Sequence, residues 1–197
     1  SFSSSYFHSD VAQSFPDFSY ILSANATIST KYITLPFSVT YSNLELNVHQ
    51  PFNQFGASPT YKWLTMNLGY RNLNFGKYSL NGHTMFGAGM EAKFKKWHFG
   101  YQYGRLLKAT EFDTSTSLVT PVNFERWGHA FVAKYMFRRG HVGISTLAAK
   151  DDPNSLVGLE NLYTETPTRV YPGRNHVFEI DFAFPILKSI AFRSTQI

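Results

Sequence analysis

The sequence predicts an all-β chain: an antiparallel transmembrane β-barrel of about eight strands, either whole or part of a larger barrel. Three observations predict it. Apolar and polar residues alternate with a period of two along repeated stretches of about ten residues, the length a tilted strand needs to cross a bilayer. Aromatic residues reach 17%, with 19 Phe and 12 Tyr, whereas charged residues are only 16%, below the roughly 25% of soluble domains. Yet mean hydropathy is −0.22, and no run of about 18 apolar residues exists to form a membrane helix. Each strand of a membrane barrel is only half apolar, and that reconciles the last two facts.

Ser1–Asp17 is polar and aromatic, without the apolar core of a signal peptide, and is expected to be an N-terminal extension of the strands over 18–186. The first run carries Phe18, Tyr20, Leu22, Ala24, Ala26 and Ile28 on one face and mostly Ser, Asn and Thr on the other. A helix would scatter these two sets around its circumference. The second runs Ile33–Ser42, with Pro36 marking a strand start, bulge or edge. The third sets Leu64, Met66, Leu68 and Tyr70 against Thr65, Asn67, Gly69 and Arg71. The fourth spans His83–Phe94. The fifth is the cleanest, with Trp97, Phe99, Tyr101 and Tyr103 opposite His98, Gly100, Gln102 and Gly104. The sixth covers Arg126–Phe137, the weaker seventh Val142–Ala149, and the eighth Phe178–Phe184. Leu187–Ile197 is then expected to leave the membrane as a periplasmic tail or the start of a further module.

Link lengths give an orientation. Lys95-Lys96 and Arg138-Arg139 make tight links, while Asn72–Gly82, Glu111–Asn123 and Lys150–Asn175 are long. Outer-membrane barrels have short periplasmic turns and long external loops, so Lys95, Lys96, Arg138 and Arg139 are expected in periplasmic turns. Two links resist the rule. Thr30–Tyr32 is short where an external loop is expected, and His49–Pro59 is too long for a periplasmic turn.

The apolar face is expected to meet lipid, with Trp63, Trp97 and Trp127 as membrane-interface aromatics. The polar face becomes the lumen, carrying Arg71, Glu91, Lys93, Arg126, Lys134, Glu179 and Asp181. Their signs nearly balance, which suits a narrow or plugged interior better than a wide ion-selective pore, where one sign tends to form a ring.

Other chemistry finds little support. There is no cysteine, so disulfides and thiolate-bound zinc are excluded. The seven histidines are scattered without metal-ligand spacing. Asp151-Asp152-Pro153-Asn154 lacks the glycine and terminal glutamate of a calcium loop and reads as a solvated turn. Asn25-Ala26-Thr27 fits a glycosylation sequon but lies inside a strand. The net charge of +5 comes without a basic stripe or motif, so nucleic acid is not an expected partner. His129 and Ser145 fall on neighbouring strands, the nearest approach to a hydrolase pair, with no acid to complete it. No catalytic residue, metal or cofactor is expected.

Gln50-Pro-Phe-Asn-Gln-Phe-Gly-Ala-Ser-Pro-Thr-Tyr-Lys-Trp63 resembles a segment of large outer-membrane proteins of the Bacteroidota. So do Gly69-Tyr-Arg-Asn72, Gly82-His-Thr-Met-Phe-Gly-Ala-Gly89, Tyr103-Gly-Arg105, Asp17–Ile28 and Lys150-Asp-Asp-Pro-Asn-Ser155. The resemblance covers most of 17–192 and implies the first part of a longer barrel protein, sometimes followed by periplasmic modules. It implies no catalytic residue.

Two functions are therefore expected, both in the bacterial outer membrane. One is a non-enzymatic structural or accessory subunit of an envelope transport or assembly complex, touching membrane lipid and other outer-membrane or periplasmic proteins. The other is a channel for a small solute.

Overall fold

A computed structural model describes residues 2–6, 18–42, 54–110, 122–156, 171–187 and 190–196. Twelve strand segments form one antiparallel sheet. They begin with β1 (Phe2–Tyr6), β2 (Phe18–Ser29), β3 (Ile33–Ser42), β4 (Gln54–Ala57) and β5 (Thr60–Tyr61). The central group is β6 (Leu64–Asn74), β7 (Asn81–Phe94), β8 (Trp97–Leu107) and β9 (Arg126–Phe137). The last three are β10 (Gly140–Asp151), β11 (Arg174–Leu187) and β12 (Ile190–Gln196). Each strand pairs with its neighbours in sequence, β4 and β5 together occupying one place between β3 and β6, and the sheet curls into a small antiparallel barrel.

All eight alternating runs are strands. The sequence reading missed β4 and β5, which are short and separated by Ser58-Pro59. It also missed β1, inside the stretch taken for an N-terminal extension, and β12, inside the stretch expected to leave as a tail. β1 instead pairs with β2 and β12 runs back along β11. A strand-long row of backbone N–H and C=O groups favours a pairing partner over an exit into solvent.

The strand at β4 and β5 removes both exceptions in link length. With it counted, the short links 30–32, 62–63, 95–96 and 138–139 all fall at one end. At the other end 75–80 joins β6 to β7, and there too β8 and β10 finish and β9 and β11 begin. Thr30–Tyr32 therefore belongs with the tight turns, where Thr30 closes it through its N–H to Ile33 O at 2.8 Å, and β2 starts from the long-loop end. The expectations for 111–121, 157–170 and the histidines at 8 and 49 lie outside the described residues. Lys62 and Lys95 open their turns with positive φ of 52° and 53°, the backbone a tight hairpin demands.

One inner row explains the sharp curl. Gly56, Gly69, Gly87, Gly104 and Gly128 lie opposite one another in register across β4, β6, β7, β8 and β9. A Cβ at Gly87 would run into Tyr103 O, and one at Gly104 into Phe86 O. Strands without side chains at one height can fold closely over each other there.

The faces separate cleanly. Met66, Met90, Phe99, Tyr101, Tyr103, Val142, Ile144, Phe178 and Ile180 are exposed, while their alternating neighbours Asn67, Gln102, Ser145, Glu179 and Asp181 are buried. The outer face is thus largely apolar, whereas the interior combines these polar groups with buried Leu73, Met85, Ala130 and Val132.

Candidate functional site: a loop-filled lumen

The link between β6 and β7 is expected from sequence to be an external loop. Instead Phe75–Leu80 turns inward. Phe75 and Leu80 are 1% and 0% exposed and form the apolar core with Leu73 of β6 and Ala130 and Val132 of β9. Leu106 of β8 and Leu147 of β10 pack against that cluster. The reason is visible in composition: two large apolar side chains on a short link find no other water-free place once the outer face is turned away. A backbone bond from Phe75 N to Leu80 O at 2.8 Å closes the loop.

Glu179, on the inner face of β11 and 1% exposed, holds the loop's tip. Its Oε1 accepts the Lys77 N–H at 2.9 Å, and its Oε2 accepts those of Tyr78 and Ser79 at 3.0 and 3.2 Å. Ser79 Oγ meets Ser145 Oγ of β10 at 2.9 Å, and Ser145 donates to Glu179 Oε2 at 3.4 Å. Three backbone donors and a hydroxyl converging on one carboxylate is the arrangement that makes a buried charge tolerable. Gly76 is required here, since a Cβ would strike the Glu179 carboxylate, Ser145 Oγ and Ser79 Oγ.

The other expected lumen residues sit around this plug, each on the inner face of its strand. Glu91 receives Asn67 Nδ2 at 3.2 Å and lies 3.0 Å from His98 Nε2 and 3.5 Å from Lys93 Nζ. The Lys93 side chain itself is 69% exposed, because it stands beside the short-turn rim. Arg71 reaches Ser58 Oγ, which donates to Asn67 Oδ1 at 2.9 Å. Arg126 makes a two-pronged pair with Asp151 at 2.6 and 2.9 Å. Asp181 bonds His141 Nε2 at 2.6 Å. Lys134 borders a cavity of about 230 Å³ beside the loop, with Lys77, Glu179 and Asp181. The interior is thus crossed by side-chain bridges as well as by the loop.

The aromatic expectations separate by end. Trp63 and Trp97 are exposed at the short-turn end, next to the Lys95-Lys96 and Arg138-Arg139 turns; Trp63 lies edge-on to Phe94, and Trp97 stacks on Phe99. Trp127 is on the outer face at the long-loop end, stacked on Tyr103 and donating to Glu125.

His129 and Ser145 do not meet. Ser145 is 2% exposed inside the barrel, whereas His129 points outward and bonds the Tyr101 hydroxyl at 2.7 Å. Asp152 caps a 3-10 turn, accepting Asn154 N at 3.0 Å, and Asp151 is committed to Arg126 and to the Gly173 N–H at 2.9 Å. Among the described residues no cluster of three metal-ligating side chains occurs. Sequence reasoning missed Phe75, Gly76, Ser79 and Leu80; the signal was two large apolar residues in a link otherwise taken as solvated. No protein-family model matches the chain, and neither a curated protein nor a solved structure is similar enough to count as a relative.

Proposed function

We propose that the chain is a plugged barrel of the bacterial outer membrane, serving as a structural or accessory subunit of an envelope transport or assembly complex rather than as a solute path. The observation that carries this is the inward β6–β7 loop, anchored to Glu179 by three backbone bonds. Phe75 and Leu80 fill part of the lumen with an apolar cluster that also takes in Leu73, Ala130 and Val132.

The membrane location is supported by the largely apolar outer face. Strands of 11 to 14 residues from β6 to β11 rise about 3.3 Å per residue. At the tilt usual in barrels, they match an apolar band of roughly 25 Å. Exposed large apolar residues recur on every strand from β2 to β11, unlike the singly scattered ones of soluble monomers. The alternation of short and long links at opposite ends supports the orientation, with Lys95, Lys96, Arg138 and Arg139 on the periplasmic side.

A solute channel is the second reading, favoured by the cavity between the loop and Lys134, Glu179 and Asp181. Planar-bilayer recording separates the two. The wild-type barrel, reconstituted at single-molecule density, is expected to give no reproducible open level, and it should copurify in mild detergent with stoichiometric envelope proteins. A stable unitary conductance from the wild-type chain would transfer the assignment to the channel.

A further inference from the structure

We infer that the outer face of β8 to β11 at the long-loop end is a binding site for the phosphate-bearing headgroup of a membrane glycolipid or phospholipid. The site rests on the membrane reading above and adds a ligand class to it. Strand register builds it from two rows. Arg105, Trp127, Lys150 and Arg174 stand opposite one another across β8, β9, β10 and β11. The next outward row toward the middle of the barrel is Tyr103, His129, Ala148 and His176. Below these come only uncharged side chains: Tyr101, Phe131, Thr146 and Phe178, and then Phe99, Ala133, Ile144 and Ile180.

The surface is therefore graded, from cations to imidazoles to aromatic and aliphatic residues. An anionic lipid has the same gradient, with phosphate at the interface and acyl chains below. Between the rows lies a depression of about 450 Å³, bordered by Tyr103, Trp127, His129, Lys150, Arg174 and His176.

Charge makes the argument specific. Lys150 and Arg174 are directly opposite each other, and like charges in facing positions destabilise a strand pair. Among the described residues no carboxylate is within ion-pair distance of either. The nearby acids are committed elsewhere: Glu125 to Arg105 at 3.2 Å and to the Trp127 indole N–H, and Asp151 to Arg126 and the Gly173 N–H. A phosphate between Lys150 and Arg174 would turn that repulsion into two charge-assisted bonds. Its source is a lipid, because the cations stand directly above an apolar face and the long-loop end is the outward-facing end of such barrels.

The test uses the full chain in mild detergent, with bound lipid counted by native mass spectrometry. The probes are bisphosphorylated lipid A, its dephosphorylated form and inorganic phosphate. Bisphosphorylated lipid A should bind, its dephosphorylated form should bind about tenfold more weakly or worse, and inorganic phosphate alone should not be retained. K150Q/R174Q should lose the discrimination between the two lipids, whereas K95Q/K96Q at the opposite rim should keep it. Equal binding of both lipids to wild type, retention of inorganic phosphate alone, or equal loss in both double variants would overturn the site. A chain that is monodisperse without detergent would overturn the membrane reading itself, which is a separate result.

Discussion

Glu179 and Glu91 are carboxylates in the same lumen, but they are satisfied by different parts of the chain. Glu91 is bridged by side chains from its own and adjacent strands, Asn67, Lys93 and His98. Glu179 is bridged by backbone N–H groups of a loop about 100 positions away in sequence. The first arrangement stiffens a wall that already exists. The second ties the loop that enters the lumen to the wall at β11. One interior charge is therefore bound locally, and the other links parts of the chain far apart in sequence.

The largest effect should follow from breaking the Glu179 contact. Glu179→Ala removes the shared carboxylate acceptor of three loop N–H groups beside a cavity bordered by Lys134 and Asp181, a loss of roughly 3 kcal/mol or more in loop attachment. Trypsin cleavage after Lys77 should then rise by about two orders of magnitude, since opening becomes that much easier. Discrete conductance steps should appear in planar bilayers. Glu179→Gln keeps the volume and one acceptor oxygen, so it should fall between wild type and Glu179→Ala. Unchanged cleavage and a silent bilayer with Glu179→Ala would show that Phe75 and Leu80 hold the loop without the carboxylate.

Glu91→Gln should have a smaller and local effect. One of its partners, Lys93, is largely exposed, and Gln keeps an acceptor for Asn67, so the change should cost about 1 kcal/mol in urea unfolding from detergent. The loop should stay in place, with trypsin cleavage after Lys77 at the wild-type rate. An open conductance in this variant would erase the distinction between the two carboxylates.

The same distinction marks what the sequence made legible. The outer face was, because alternation is a local property: Trp97, Phe99, Tyr101 and Tyr103 must share a face whatever their neighbours do. The inner-face assignment of Glu91, Lys93 and Glu179 follows from the same parity. What parity does not carry is which inner residues meet across the barrel. The bond from Lys77 N to Glu179 exists only because the curled sheet brings β11 opposite the β6–β7 link, a consequence of total strand number and curvature. The missed strand teaches a related lesson. Gln54–Ala57 and Thr60–Tyr61 are each too short for periodicity to stand out, yet the misfit of Thr30–Tyr32 and 49–59 with the link rule already required an extra crossing. The Lys150–Arg174 pair was hidden for a third reason, since facing residues on β10 and β11 depend on a register that the long intervening link does not fix.

A third interior polar group sharpens the comparison further. Gln102 of β8 is 0% exposed, and among the described residues neither its amide nitrogen nor its amide oxygen has a hydrogen-bond partner. It lies over Gly89 on the facing strand, where a Cβ would strike its Oε1. If burial of polar groups in this lumen is governed by the bonds they make, Gln102 contributes nothing favourable and costs about 1–3 kcal/mol. Gln102→Met keeps the length and flexibility of the side chain while removing both polar atoms. The variant is expected to gain about 1 kcal/mol in urea unfolding, opposite in sign to Glu91→Gln, with the loop and the conductance unchanged. A loss of similar size would mean that the lumen solvates Gln102, and that the interior around Gly89 and Gly100 is wet rather than sealed by the loop.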